Sequence, residues 1–344
     1  MKLARGRKIL ILVLLLITAV CSLFYKELSY GFMQAKGQFK IIKEAQPVGY
    51  FLNSPDFPDS LKSKLKLLDE IKRYAVDSLS LPAEDQYEKV FDQKGKDVLW
   101  VVTAAEPYEL KSYTWQFPIL GEVSYKGFFI YKEAEKEAKR LSNKGFDVRI
   151  RPVGAWSTLG WFNDPLMSKL LERSEAKLAE VIFHELIHDV VYIKDSTDFN
   201  ENLASFLGRK MTLKYLRDSN YFSEEINQYQ SNIQDALRLN SFINNQLSFF
   251  NELYIGLEGL DDSQKAKAKA KAFINFRNQL SMLQFNNPVY ADYLIQNDSL
   301  NNAHLLAFER YGSIQQKLEE QYLSDFDEDV LKMLAYYATN FNSI

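Results

Sequence analysis

The chain has 344 residues, 47% hydrophobic and 25% charged, with 14% aromatic side chains, a composition that excludes extended disorder and is long enough for about two lobes. Lys plus Arg (42) nearly balances Asp plus Glu (45), a net charge of −3, so the basic excess of a nucleic-acid binder is missing and no nucleic-acid partner is expected. A lone cysteine, Cys21, excludes a disulfide framework or a cysteine-based zinc site, and only His184, His188 and His304 are available for imidazole chemistry.

The amino terminus carries Lys2, Arg5, Arg7 and Lys8, then an apolar run over residues 9–24 (ILILVLLLITAVCSLF). This is the order of an export signal or a short membrane anchor, since sixteen helical residues reach about 24 Å. The basic flank should stay in the cytoplasm and the rest should lie outside. Three forms are compatible with it: an uncleaved anchor, a lipoprotein acylated at Cys21, or a cleaved soluble chain. A lipoprotein signal favours a small residue just before the cysteine, where this chain has Val20. All three place the protein in the cell envelope, at the extracytoplasmic face of the inner membrane or in the periplasm.

Residues 1–29 are thus read as signal or anchor and 30–344 as the folded domain. Residues 30–47 read as a membrane-proximal helix, and 61–79 as a helix with apolar residues at Leu61, Leu65, Leu68, Ile71 and Tyr74. The run DVLWVVT (97–103) reads as a buried strand, 117–131 as a hairpin around Gly121 and Gly127, 132–143 as a helix closed by Gly145, and FDVRIRPV (146–153) as another strand. Residues 95–163 then make a small α+β lobe, and 164–344 a helical one. Asp164-Pro165 and Ser174-Glu175 read as helix starts, with one helix spanning 175–193. The run KAKAKAKA (265–272) alternates like a strand, but Ala and Lys are good helix formers, so a solvated helix is expected. The fold class is therefore α+β, mainly helical.

The sequence HELIH (184–188) is HExxH. On a helix, i and i+4 share a face, so His184 and His188 can reach one metal ion with Glu185 beside it. Two neutral imidazoles and a carboxylate suit zinc with a fourth position left open, and the glutamate can take a proton from activated water. The third ligand expected is Glu201, thirteen residues on in FNENLA; the turn-like KDSTD (194–198) would let a second helix begin near Phe199 and return antiparallel, with Thr197 and Asp198 as caps. Asp195 and Asp198 are rival ligands. Ser205, one turn after Glu201, could hydrogen-bond a ligand imidazole.

HELIH followed by a glutamate on the next helix resembles the gluzincin metallopeptidases. More specifically, the chain resembles the bacterial family described as zinc-dependent aminopeptidases, many of them predicted lipoproteins, through YGFMQAKGQFKIIKEAQPV (30–48), TWQFPILGEVSYKGFF (114–129), GAWSTLGWFNDP (154–165), VIFHELIHDVVYIKDSTDFNENLASF (181–206) and NNAHLLAFERY (301–311). The resemblance implies a membrane-tethered zinc peptidase acting on a peptide substrate, with His184, His188 and Glu201 on Zn2+ and Glu185 as general base. Other envelope zinc hydrolases, or a membrane-anchored metal-binding module without activity, are the alternatives. Metallopeptidases of this type bind substrate backbone along an edge strand before the metal helix, a role open to residues 154–162, which read equally as a packed aromatic turn. His304, Tyr311 and Tyr293 are candidate oxyanion donors.

Overall fold

The computed structural model describes residues 22, 24–83, 86–117, 121–153, 165–194, 196–219, 221, 223–312 and 314–341, with backbone alone at 26 and 309–312. Cys21, residues 154–164 and Asp195 lie outside them. Among the described residues no helix is long and apolar enough to cross a membrane.

The first helix, α1 (Tyr25–Glu44), leads through a two-residue strand β1 (Gln46–Pro47) into the short α2 (Val48–Asn53). Helix α3 (Asp59–Leu79) buries Leu65, Leu68, Ile71, Ala75 and Leu79, the 3–4 spacing that puts one apolar stripe inward. It ends at Ser80, which takes the left-handed conformation (φ 54°).

Two sheets follow. Strand β2 (Lys89–Phe91) pairs antiparallel with β1 and parallel with β8 (Leu166–Met167). The second sheet has the order β6-β3-β7, all antiparallel, with β3 (Trp100–Ala105) between β6 (Lys126–Phe128) and β7 (Asp147–Pro152). A small hairpin, β4 (Trp115–Phe117) and β5 (Gly121–Val123), stands beside it. Helix α4 (Tyr131–Ser142) covers the sheet with Ala134 and Leu141, and Gly145 at φ 91° makes the turn into β7.

The remainder is helical: α5 (Glu175–His188), α6 (Thr197–Asp218), α7 (Ser223–Gly256), α8 (Asp262–Ser281), α9 (Asp292–Ile295), α10 (Asn302–Gly312), α11 (Gln315–Asp325) and α12 (Val330–Phe341). The main core joins α3, α5, α6, α11 and α12, while a second core lies between α7, α8 and α10.

Three expectations need correction. Pro165 opens no helix; it precedes strand β8, which pairs with β2, and a 3-10 turn at Ser168–Glu172 before α5. Backbone pairing to β2 overrides the local helix signal there. The helix carrying HELIH stops at His188, and the chain turns where Val191 N donates to Ile187 O. The lysine run is helical, within α8, whose start is a complete capping box between Asp261 and Gln264. It is not wholly solvated, because Lys269 is half-buried against Asp147 at 2.5 Å.

Helix α10 packs against both the three-stranded sheet and helices α6 and α7. Its first residue, Asn302, is fully buried and ties these layers together. Its amide Nδ2 donates to Glu106 O (2.8 Å) and its Oδ1 accepts from Tyr254 Oη (2.6 Å). Its backbone N–H donates to Asp147 (2.8 Å), the carboxylate that also holds Lys269. Removing the amide orphans several buried groups at once. Asn302→Ala is expected to cost about 3 kcal/mol, seen as a lower urea midpoint with an unchanged slope.

Candidate metal centre

Helix α5 begins at Ser174, whose hydroxyl accepts from Lys177 N, as the sequence predicts. Leu178, Ala179, Ile182, Phe183, Leu186 and Ile187 are buried. That leaves the stripe of Glu180, His184 and His188 only partly covered.

Helix α6 returns antiparallel, because Glu201 meets both histidines while Tyr221, twenty residues later, donates to Glu175. The loop between them is clamped by Asn200, fully buried. Its Oδ1 accepts from Ile193 N (3.0 Å) and its Nδ2 donates to Ile193 O (2.8 Å). Neither Thr197 nor Asp198 caps the helix; the N-cap is Ser196, without a side-chain bond. The clamp replaces the cap, and sequence reading missed it although Asn200 stands next to Glu201.

The close approach depends on Gly208. A Cβ there would sit 3.3 Å from Glu180 O and 3.3 Å from His184 N, so α6 lies nearly backbone to backbone on α5 at the metal turn. Gly208 is two turns beyond Glu201, on the same face.

The result is a convergence of His184, His188 and Glu201, the one metal-capable group of three among the described residues. His184 Nε2 and His188 Nε2 are 3.2 Å apart, and Glu201 lies 3.4 Å from the first and 3.7 Å from the second. A tetrahedral ion with bonds of about 2.0–2.1 Å has donors about 3.3 Å apart. The two imidazole nitrogens and the Glu201 carboxylate are thus spaced close to what such an ion needs, with side chains 18–24% exposed.

The chemistry of the donors points the same way. Ser205 Oγ lies 3.4 Å from His184 Nδ1, so that nitrogen can carry the proton and leave the Nε2 lone pair facing the triad. Among the described residues His188 Nδ1 is buried without a partner. Burial, with His184 adjacent, pushes His188 down to about 4, which keeps it neutral. Burial also pulls His184 down, but the bond to Glu201 and the charges of Glu185, Glu201 and Glu180 outweigh it and leave the pKa raised. The same negative field favours a cation held between the rings. Glu185 is close enough to act on His184 electrostatically.

Of the rival ligands, Asp198 is not in the group, and Asp195 lies outside the described residues. The segment 154–162, expected to meet substrate, also lies outside them, as does the Tyr311 side chain. His304 is buried with its own partners: Nδ1 is 2.9 Å from Asn301 Oδ1 and Nε2 3.4 Å from Asn297 Nδ2. Tyr293 is half-exposed under Arg149, whose guanidinium lies 5.8 Å from the ring centre. No hydrogen bond or ion pair joins either to the triad among the described residues. A network that sequence reading missed does reach α6: Gln315 donates to Asn202 O and Oδ1 (3.0 Å each) and accepts from Arg209, fixing the start of α11 beside the metal turn.

A mainly helical α+β chain with a two-histidine, one-glutamate cluster on adjacent helices is of the kind that could bind a metal ion. The chain belongs to the family described as "Putative aminopeptidase", whose model matches residues 29–338. No curated protein and no solved structure matches it.

Two outcomes follow from this geometry. Gly208→Val is expected to push α6 off α5, costing about 1–3 kcal/mol of stability. Metal affinity should drop at least about tenfold with it, measured by competition with a chelating dye; Gly208→Ala should do less. Separately, burial, with Arg149 nearby, pushes His304 down to about 4. The unfolded chain therefore binds a proton there before the native one does. The wild-type protein should lose up to about 3 kcal/mol as pH falls from about 6.5 to about 4. His304→Asn should lack that part of the acid loss, read from urea unfolding at both ends of the range.

Proposed function

We propose that this chain is a zinc aminopeptidase tethered to the membrane by its amino terminus, with its catalytic part in the cell envelope. The observation that carries the reading is the donor triangle of His184, His188 and Glu201, with Glu185 between the two histidines, in a chain of the aminopeptidase family. Tethering is carried by the basic flank and apolar run of residues 1–24.

His184, His188 and Glu201 would hold the ion, which supplies Lewis acidity and lowers the pKa of water. The buried, neutral His188 offers its lone pair without a proton having to leave first, and Ser205 orients the His184 ring. Glu185 accepts the proton of the attacking water and delivers it to the leaving amine. A structural metal site has no use for a carboxylate at that position, and this favours an enzyme over a binding module.

Glu185→Gln is expected to retain about one zinc per chain and to lose peptide hydrolysis by about 10²–10⁴-fold. Unchanged hydrolysis would remove Glu185 from the mechanism. Loss of zinc in His184→Ala, measured by metal analysis, checks the ligand set. Peptides with free and blocked amino termini, compared on the wild-type protein, separate an aminopeptidase from an endopeptidase or another envelope zinc hydrolase.

A further inference from the structure

Helix α1 has two faces of opposite use. The inward one is specific: Tyr30 donates to Gly127 O at 3.0 Å, Gln34 donates to the same carbonyl, and Gly37 leaves room for the Phe129 ring. The outward one is apolar and uncovered. Tyr25 is 62% exposed, Leu28 51%, Phe32 73% and Phe39 66%. Tyr25, Phe32 and Phe39 are seven apart and Leu28 falls between them, so all four lie in one stripe along the helix. Lys36, Lys40 and Lys43, all exposed, flank that stripe, whereas the helix's two acids, Glu27 and Glu44, fall off it.

We propose that this face of α1 lies flat on an anionic phospholipid bilayer and so fixes how the domain stands over the membrane. The inference rests on the tethering reading above. The apolar run ends at Phe24 and α1 begins at Tyr25. Whether residues 9–24 span the bilayer or Cys21 is acylated, the first turn of α1 starts at the headgroups. Phe24 has non-helical angles (φ −105°, ψ 23°), which gives the chain a place to bend. A helix standing upright would leave Phe32 and Phe39 in water, about 10 and 20 Å along the axis from Tyr25. Lying flat, it buries them among acyl chains and sets the lysines against headgroup phosphates, the pattern of interfacial helices. Pairing of two copies through the same stripe would bring lysines together with no acid on that face to meet them, so the charge favours the anionic lipid.

The test uses the full chain, with Cys21→Ser and one environment-sensitive dye attached through Phe32→Cys, Phe39→Cys or, as control, the exposed Leu323→Cys on α11. Each is incorporated into phosphatidylglycerol–phosphatidylcholine vesicles carrying brominated acyl chains. The dye at 32 and 39 is expected to be quenched at least about threefold more than at 323, and K36E/K40E/K43E should lower that excess. A chain that is incorporated but shows equal quenching at all three positions would overturn the flat orientation and leave the tether standing. Disulfide-linked dimers of the unlabelled Phe32→Cys chain, with no quenching of the labelled one, would assign the stripe to a second copy instead. A chain that does not enter vesicles at all would defeat the docking and the tether through residues 9–24.

Discussion

The clasp of α5 against α6 is the constraint on which the candidate site rests. Two imidazole nitrogens stand 3.2 Å apart with the Glu201 carboxylate 3.4–3.7 Å from them, an arrangement that needs a proton or a cation between the donors. The two helices can impose it because they are held by something stronger. Ile182, Phe183 and Leu186 on one side, and Leu203, Leu207 and Met211 on the other, are all but fully removed from water. Each such side chain contributes about 1.5–3 kcal/mol of burial. Gly208 converts this adhesion into proximity, since any larger residue would hold the backbones apart. Hydrophobic burial thus supplies the force, and one missing side chain supplies the distance.

Buried amides do the rest of the positioning. With no disulfide available, the protein fixes its connections by placing Asn or Gln where a loop backbone needs partners. Asn200 closes the turn before Glu201, Gln315 locks the start of α11 to α6 through Asn202, and Asn302 joins the sheet to α7 and α10. Asp235, fully buried on α7, does the same for the turn after α8 by accepting from Asn286 N and Asn287 N at 2.8 Å each. Each is satisfied on both its donor and acceptor atoms or by several donors, so burial is not penalised. The amino-terminal helix enters the same framework: α1 runs into β1, β1 pairs with β2, and β2 pairs with β8, which leads into the metal helix. Orientation of the chain at its amino terminus is therefore mechanically close to the centre.

Much of this architecture was legible in the sequence where the cause is local. The 3–4 apolar spacing of α3, the Ser174 start of α5, the Gly145 turn and the Ala–Lys helix all follow from contacts within a few residues. Pro165 misled because its neighbours pair with a strand seventy-six residues earlier. The missing caps at Thr197 and Asp198 misled because a buried asparagine replaced them. His304 attracted a chemical role by type, whereas its surroundings are Asn297 and Asn301 in the loop just before its helix and Arg149 on β7, a distant strand that periodicity cannot place beside it.

By itself the sequence determined that His184 and His188 share one helical face with Glu185 beside them, because an i, i+4 pair is a property of a single helix. It also determined which acids were near enough along the chain to join them. Glu201 was already the expected partner, but only the tertiary structure brought it to the histidines, since a donor from another helix needs a crossing distance and a rotation. Those depend on the apolar surfaces of α5 and α6, on Gly208 and on the Asn200 clamp acting together across the gap between two elements.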